Sequence, residues 1–319
     1  MRLHEYKDDF ATLIENIYER TEISRDILEK DYYVTLMLYE LSKKQDTNPA
    51  YFKGGTSLYK ALKSVRRFSE DIDITVDISE CSKKQARDRL KDVANEYTSL
   101  PRTTKPELLN DERNRGNFII RMYDYDSLYP IQKDRLQRYG NVKIEANSFS
   151  ISEPTEKLEV EPLLYTLANN QERELLRDKF NVRPFNINTI TMERTFIDKV
   201  FASELYYQND RFFDGSKHLY DIAILFNHPR IEKLLNDKGK TEQLIALKRK
   251  EETSLGRKLG ELSFDEFTLF SNPSKNKELK RAFQDMQDIY VFNTNDLIQF
   301  DDMVEIVKQV HQGFIELEA

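Results

Sequence analysis

Apolar residues recur at helical spacing from the start of the chain. Within residues 6–20, Phe10, Leu13, Ile14 and Ile17 fall on one stripe and predict an amphipathic helix. Ser24 stands as the N-cap of a second helix, whose apolar positions are Ile27, Leu28, Val34, Leu36, Met37 and Leu41. The period then shortens. Residues 49–52 predict a short buried strand, Gly54-Gly55 a turn, and Thr56 or Ser57 the start of a helix over 58–63. The run DIDITV, residues 71–76, alternates acid and aliphatic and predicts a strand. A strongly charged helix follows over 82–98, then a polar loop over 101–115 that holds two prolines, then strands over 117–123 and 140–146. The stretch between those strands holds Asp124, Asp126, Pro130 and several basic residues, and reads as a hairpin or insertion.

Near Asn186 the pattern turns helical. Residues 192–208 place Phe196, Val200, Phe201 and Leu205 on one stripe. Residues 215–227 take Ser216 as N-cap and turn Leu219, Ile222, Ala223 and Leu225 inward. Further helices run from Arg230, one of them basic in its first half (LKRKEETS), and one or two amphipathic helices cover 295–317. The order predicts an α+β fold: a small mixed sheet flanked by helices in residues 1–188, then a helical domain over 189–319.

Composition narrows the classes. Charged residues at 33% and hydrophobic residues at 39% fit a helix-rich globular chain. No apolar run reaches the length of a membrane span, and MRLHEYKDDF carries no apolar signal region, so a cytoplasmic protein is expected. One cysteine, Cys81, excludes an internal disulfide framework and a structural zinc site. A net charge of −7 argues against nonspecific coating of nucleic acid, but leaves room for a local basic face on an RNA.

The candidate chemistry centres on residues 52–76. On a strand, Asp71 and Asp73 point to one face and Ile72 and Ile74 to the other. Two carboxylates on one side of a buried strand repel each other and call for a cation, with a hard divalent ion such as Mg²⁺ the natural choice. The Lys53-Gly54-Gly55-Thr56-Ser57 turn offers backbone N–H groups at a helix start, which suits a phosphate, and Ser69 lies just before the acids. Arg66 or Arg67 is placed to neutralise a triphosphate or an RNA phosphate, or belongs to a solvated linker. Lys30-Asp31 reads either as a surface charge pair or as part of the functional pattern. Lys217 and Asp221, four apart on a helix, read by themselves as an ion pair.

The order hydrophobic-Gly-Gly-Thr, helix, Asp-hydrophobic-Asp-hydrophobic resembles the signature of the nucleotidyltransferase superfamily. FKGGTSLYKAL followed by RFSEDIDI is similar to the AbiEii/AbiGii toxins, nucleotidyltransferase-like proteins of bacterial toxin–antitoxin, abortive-infection and phage-defence systems. The resemblance covers roughly residues 24–227. It implies a nucleotidyltransferase-like sheet, a third metal acid from a neighbouring strand (Glu145, with Glu159 and Glu161 as rivals), and one or two Mg²⁺ ions. It also implies that TFIDK and KHLYD carry an essential lysine, Lys199, and an essential aspartate, Asp221, contributed by the helical half to the active-site cleft. Where many members have Lys-Asp, this chain has Lys217-His218. The implied reaction moves a nucleotide from an NTP, a pyrimidine triphosphate or GTP, to RNA, with a tRNA end as acceptor. The implied effect is growth arrest, relieved by an antitoxin that either binds the toxin or acts only on transcription. A protein or small-molecule hydroxyl is the alternative acceptor, and noncatalytic binding of nucleotide or RNA is the third reading.

Overall fold

Among the described residues, the acid-bearing strand lies at the middle of a sheet of seven strands. The computed structural model describes residues 1–63, 66–95, 97–129 and 140–318, so the end of the predicted hairpin or insertion, from Pro130 on, lies outside the described residues. The chain divides into two compact units, one of Met1–Ser64 with Ser69–Ile190, the other of Val65–Phe68 with Thr191–Ala319.

In the first unit, helices α1 (Lys7–Thr21) and α2 (Arg25–Lys44) lead to β1 (Ala50–Lys53), α3 (Gly54–Leu62) and β2 (Ile72–Val76). Next come α4 (Lys83–Asn95), α5 (Pro106–Leu109), β3 (Arg113–Arg115), β4 (Phe118–Asp124) and β5 (Asn141–Asn147). The unit ends with β6 (Thr155–Val160), α6 (Leu163–Leu167), α7 (Asn170–Asp178) and β7 (Phe185–Ile190). The described strands run in the order β3-β4-β5-β2-β1-β7-β6. β2 pairs antiparallel with β1 and parallel with β5, so the sheet is mixed. Ile72, Ile74 and Val76 are buried, as are Val142, Ile144 and Ala146 of β5, which sets the polar set of both strands on the opposite face.

Lys30 and Asp31 are interior groups, not a surface pair. Both are at most 1% exposed. The Asp31 carboxylate accepts from the Tyr59 hydroxyl, from Lys60 Nζ at 2.7 Å and from the Leu163 backbone N–H at 2.6 Å, while Lys30 Nζ donates to the Asn141 carbonyl. One carboxylate therefore fixes α2, α3 and the first turn of α6, and α3 is the helix that follows the glycine turn. Three hydrogen-bond donors on one interior carboxyl group offset the cost of taking it out of water.

Several elements differ from the sequence reading. The polar loop over 101–115 contains α5, opened by Pro106 at its first turn, and β3, a short edge strand paired to β4. β6 and β7 form an antiparallel pair that extends the sheet beyond β1; Phe185 and Ile187 alternate with Asn186 and Asn188 in β7, a strand signal just before the pattern turns helical. α3 begins at Gly54, two residues before Thr56, because Gly54 at φ +83° turns β1 straight into the helix.

The second unit is helical: α8 (Met192–Gln208), α9 (Phe212–Phe226), α10 (Pro229–Asn236), α11 (Lys238–Ser254), α12 (Pro273–Tyr290) and α13 (Phe300–Glu318). Phe196, Val200 and Phe201 of α8, and Leu219, Ile222, Ala223 and Leu225 of α9, are buried. Ser216 is no cap: α9 starts at Phe212, and the buried Ser216 hydroxyl donates back to the Phe212 carbonyl. Two of the three cations of the basic run of α11, Lys248 and Arg249, are paired within the unit, and Lys250 is exposed. Lys248 pairs with Glu251 and Glu252 at 2.6 Å each, Arg249 with Glu318, and the fully buried Arg194 of α8 with Glu251 at 3.0 Å. None of the described helices is long and apolar enough to cross a membrane.

Candidate active site

The first unit brings four of the predicted residues together. Register sets Lys53 of β1 opposite Asp73 of β2, and Asp73 opposite Glu145 of β5. Asp71 precedes β2 by one residue and continues the same face toward Lys143. The Lys143 ammonium lies 2.6 Å from Asp71 Oδ2 and 2.8 Å from Glu145 Oε1. The result is a two-by-two patch of Asp71, Asp73, Lys143 and Glu145 on one sheet face. Glu159 and Glu161 are elsewhere: β6 is the far edge strand, where Glu159 pairs with Lys63 at 3.0 Å, and Glu161 accepts from Thr166 at 2.9 Å.

Asp73 carries the strain of this arrangement. Burial pushes its carboxyl up to about 7, and the neighbouring Glu145 and Asp71 charges add to the shift against the opposing lysines. Its backbone sits in the ladders to β1 and β5, while its carboxyl group makes no hydrogen bond or ion pair among the described residues. For Lys143, burial opposes the charge, but Asp71 and Glu145 outweigh burial and raise its pKa above the ordinary lysine value.

The glycine turn is shaped by this acid. A Cβ built on Gly54 would lie 2.1 Å from Asp73 Oδ2 and 2.9 Å from Asp73 Cγ, and Gly54 sits at φ +83°. Both facts demand glycine. Gly54→Ala is therefore expected to cost about 1–2 kcal/mol from the left-handed backbone alone. It should also displace Asp73, so activity should fall further than thermal stability; equal, small losses in both assays would count against the close approach.

The side chains around the turn have inward duties. Thr56 Oγ1 donates to the Asp71 carbonyl at 2.6 Å and lies 3.0 Å from Ser69 Oγ, tying α3 to the residue that opens the acid strand. Ser57 Oγ donates to the Gly54 carbonyl at 2.9 Å, and Lys53 Nζ to Ser150 Oγ at 2.9 Å. What the turn presents is its backbone, since the first N–H groups of a helix lack partners within it. Hard oxygen donors beside such N–H groups suit a divalent ion and a phosphate. Among the described residues, however, no three acidic, histidine or cysteine side chains converge into a ready-made metal cage.

The second unit holds the other predicted residues. Asp221 is 8% exposed and clamped by two cations. Arg67 reaches it in a fork, Nε to Oδ1 and Nη2 to Oδ2 at 2.7 Å each, and Lys199 Nζ lies 2.9 Å from Oδ2. Burial alone would raise the Asp221 carboxyl, but Arg67 and Lys199 overcome it and hold the group far below the usual carboxylate range. The Lys217–Asp221 pair does not form: Lys217 Nζ lies 4.5 Å from the centre of the Tyr290 ring and 3.9 Å from Asp214. Arg66 pairs with Asp296. His218 stacks on Tyr206 with ring centres 5.0 Å apart. Its buried Nδ1 has no hydrogen-bond partner among the described residues, and burial plus the Lys199 charge keep the ring neutral.

The role of Lys143 and the partner of Arg67 were not foreseen from the sequence. Lys143 was legible in principle, since it precedes Glu145 by two residues as Asp71 precedes Asp73. The Arg67 fork depends on packing more than 150 positions along the chain and leaves no local signal.

A mixed sheet with an acid pair at a glycine turn and a helical second unit defines the class, that of the nucleotidyltransferase toxins. Within it, the family described as "Nucleotidyl transferase AbiEii toxin, Type IV TA system" matches residues 36–306, and the chain belongs to that family. This is the family that the FKGGTS and RFSEDIDI segments resemble. Two solved structures are similar over nearly their whole length. MenT4, a nucleotidyltransferase toxin from Mycobacterium tuberculosis H37Rv, is 14% identical with a TM-score of 0.47, covering 97% of this chain and 98% of its own. JHP933 from Helicobacter pylori is 15% identical with a TM-score of 0.43, covering 91% and 94%. No curated protein sequence matches the chain. A toxin of a type IV system has a cognate antitoxin.

Proposed function

We propose that this toxin is a Mg²⁺-dependent enzyme of the cytoplasm that transfers a nucleotide from an NTP to RNA, with a tRNA 3′ end as acceptor, and so arrests growth during phage defence. The carrying observation is the acid patch set against the bare glycine turn, with Asp73 in register between Lys53 and Glu145. In the reaction, an acceptor hydroxyl attacks the α-phosphorus, the bond from the α-phosphorus to the bridging oxygen breaks, and pyrophosphate leaves. Asp71, Asp73 and Glu145 would hold the divalent ion. When bound, that ion supplies a Lewis acid and neutralises triphosphate charge. The backbone N–H groups of Gly54 and Gly55 would face the phosphates, with Thr56, Ser57, Lys53 and Ser69 fixing the turn around them. Lys199 would neutralise charge on the leaving pyrophosphate, with Asp221 holding its ammonium in place. The antitoxin either binds the toxin or acts on transcription alone.

Incubation with total RNA, each labelled NTP in turn and Mg²⁺ tests the reading. Label should enter RNA with one preferred nucleotide, and Asp71→Ala and Lys199→Ala should each abolish it while the circular dichroism spectrum is kept. Label in protein or a small molecule, and none in RNA, would reject the acceptor. Nucleotide binding with no transfer to anything would reject catalysis.

A further inference from the structure

We propose that Lys143 is the resident counter-cation of the acid patch: it bridges Asp71 and Glu145 until a divalent ion takes its place, and thereby sets the metal affinity of the enzyme. The inference rests on the reading that these acids bind a divalent ion. Asp71, Asp73 and Glu145 share one face on adjoining strands, and three carboxylates so placed cannot all be charged without a cation among them. Lys143 supplies it from the same face of β5, with its ammonium 2.6 Å from Asp71 and 2.8 Å from Glu145 and its side chain 28% exposed. The other lysine in register, Lys53, donates to Ser150 Oγ at 2.9 Å.

A Mg²⁺-sized ion draws oxygen ligands to about 2.0–2.1 Å, closer than an ammonium can. The two cations therefore cannot occupy the same gap. Lys143 fills the gap between Asp71 and Glu145 that such an ion would need. Metal entry becomes an exchange of one cation for another. The ammonium it releases stays on the same face, where the triphosphate brings negative charge.

The test measures Mn²⁺ binding to the full chain by electron paramagnetic resonance, on wild type and on Lys143→Met, Lys143→Arg and Asp71→Asn. Lys143→Met removes a like charge from the metal's position and should bind Mn²⁺ about tenfold more tightly. It should also melt below wild type without metal and level with it at saturating Mn²⁺. Lys143→Arg, which keeps the charge, should stay near wild type. Unchanged or weaker binding by Lys143→Met, with wild type binding and Asp71→Asn not, would overturn the role of Lys143 and leave the metal site intact. No Mn²⁺ bound by either wild type or Lys143→Met would overturn both.

Discussion

Asp73→Asn is expected to abolish nucleotidyl transfer and, in the same molecule, to stabilise the metal-free protein. The substitution keeps the shape of the side chain and removes its charge. On the proposed role of Asp73 at the metal, its loss should lower the rate by about 10³-fold or more, the scale on which preorganised charge stabilisation operates. The gain in stability follows from linkage. The folded carboxyl is pushed up to about 7 by burial and by Glu145 and Asp71, above its unfolded value. A group raised in this way contributes stability below its unfolded pKa, near 4, and loses it as pH climbs through 7. At pH 8 the ionised Asp73 should cost about 2 kcal/mol, reduced from the full shift because the neighbouring acids and lysines titrate with it. In EDTA, wild type should therefore melt lower at pH 8 than at pH 5, whereas Asp73→Asn should lose that slope. A variant that melts below wild type at pH 8 would show that Asp73 stabilises the sheet, and would remove the argument that its site is built for a cation. The trade of stability for activity is the expected mark of a functional acid.

The same physics explains which parts of this protein can be read from its residues. The acid strand is legible because alternation is a local property: Asp71 and Asp73 must share a face wherever β2 goes. Gly54 is legible because only glycine accepts its backbone and its distance from Asp73. Helices α1, α2 and α8 announce themselves by period. What fails are the features decided by partners remote in sequence. The places of β6 and β7 in the sheet come from their pairing with each other and with β1. Lys30 and Asp31 look like an exposed pair until Tyr59, Lys60 and Leu163 close over the carboxylate. Ser216 has the side chain of a cap, yet α9 finds its start a turn earlier. A residue's chemistry shows what it can do, and its fold partners decide whether the capacity is spent internally.

Arg67→Met carries the second large effect, on stability and activity together. Arg66, Arg67 and Phe68 belong to the helical unit although the chain on either side belongs to the sheet unit, so Arg67 fastens a short crossing segment to α9. Its fork on Asp221 is buried at both ends, with side chains 7% and 9% exposed. Removing one partner leaves Asp221 charged, buried and held by Lys199 alone, at a cost of about 3–5 kcal/mol. Arg67→Lys should be intermediate, since it keeps the charge but not the two-pronged geometry. Asp221→Asn should be costly as well, and the double variant Arg67→Met/Asp221→Asn should lose much less than the sum, because both changes break one clamp.

The pH dependence runs opposite to that of Asp73. A depressed carboxyl contributes stability above its unfolded pKa and loses it as pH falls, so this part of wild-type stability should fade below about pH 4 and be missing from the double variant. Transfer should fall with the clamp, because Asp221 orients the ammonium of Lys199. Additive losses in the cycle, or full transfer by Arg67→Met, would mean that Arg67 and Asp221 serve separate ends. Any part of Asp221 in transfer would then have to be played on substrate directly, with an ammonium and a guanidinium already occupying its oxygens.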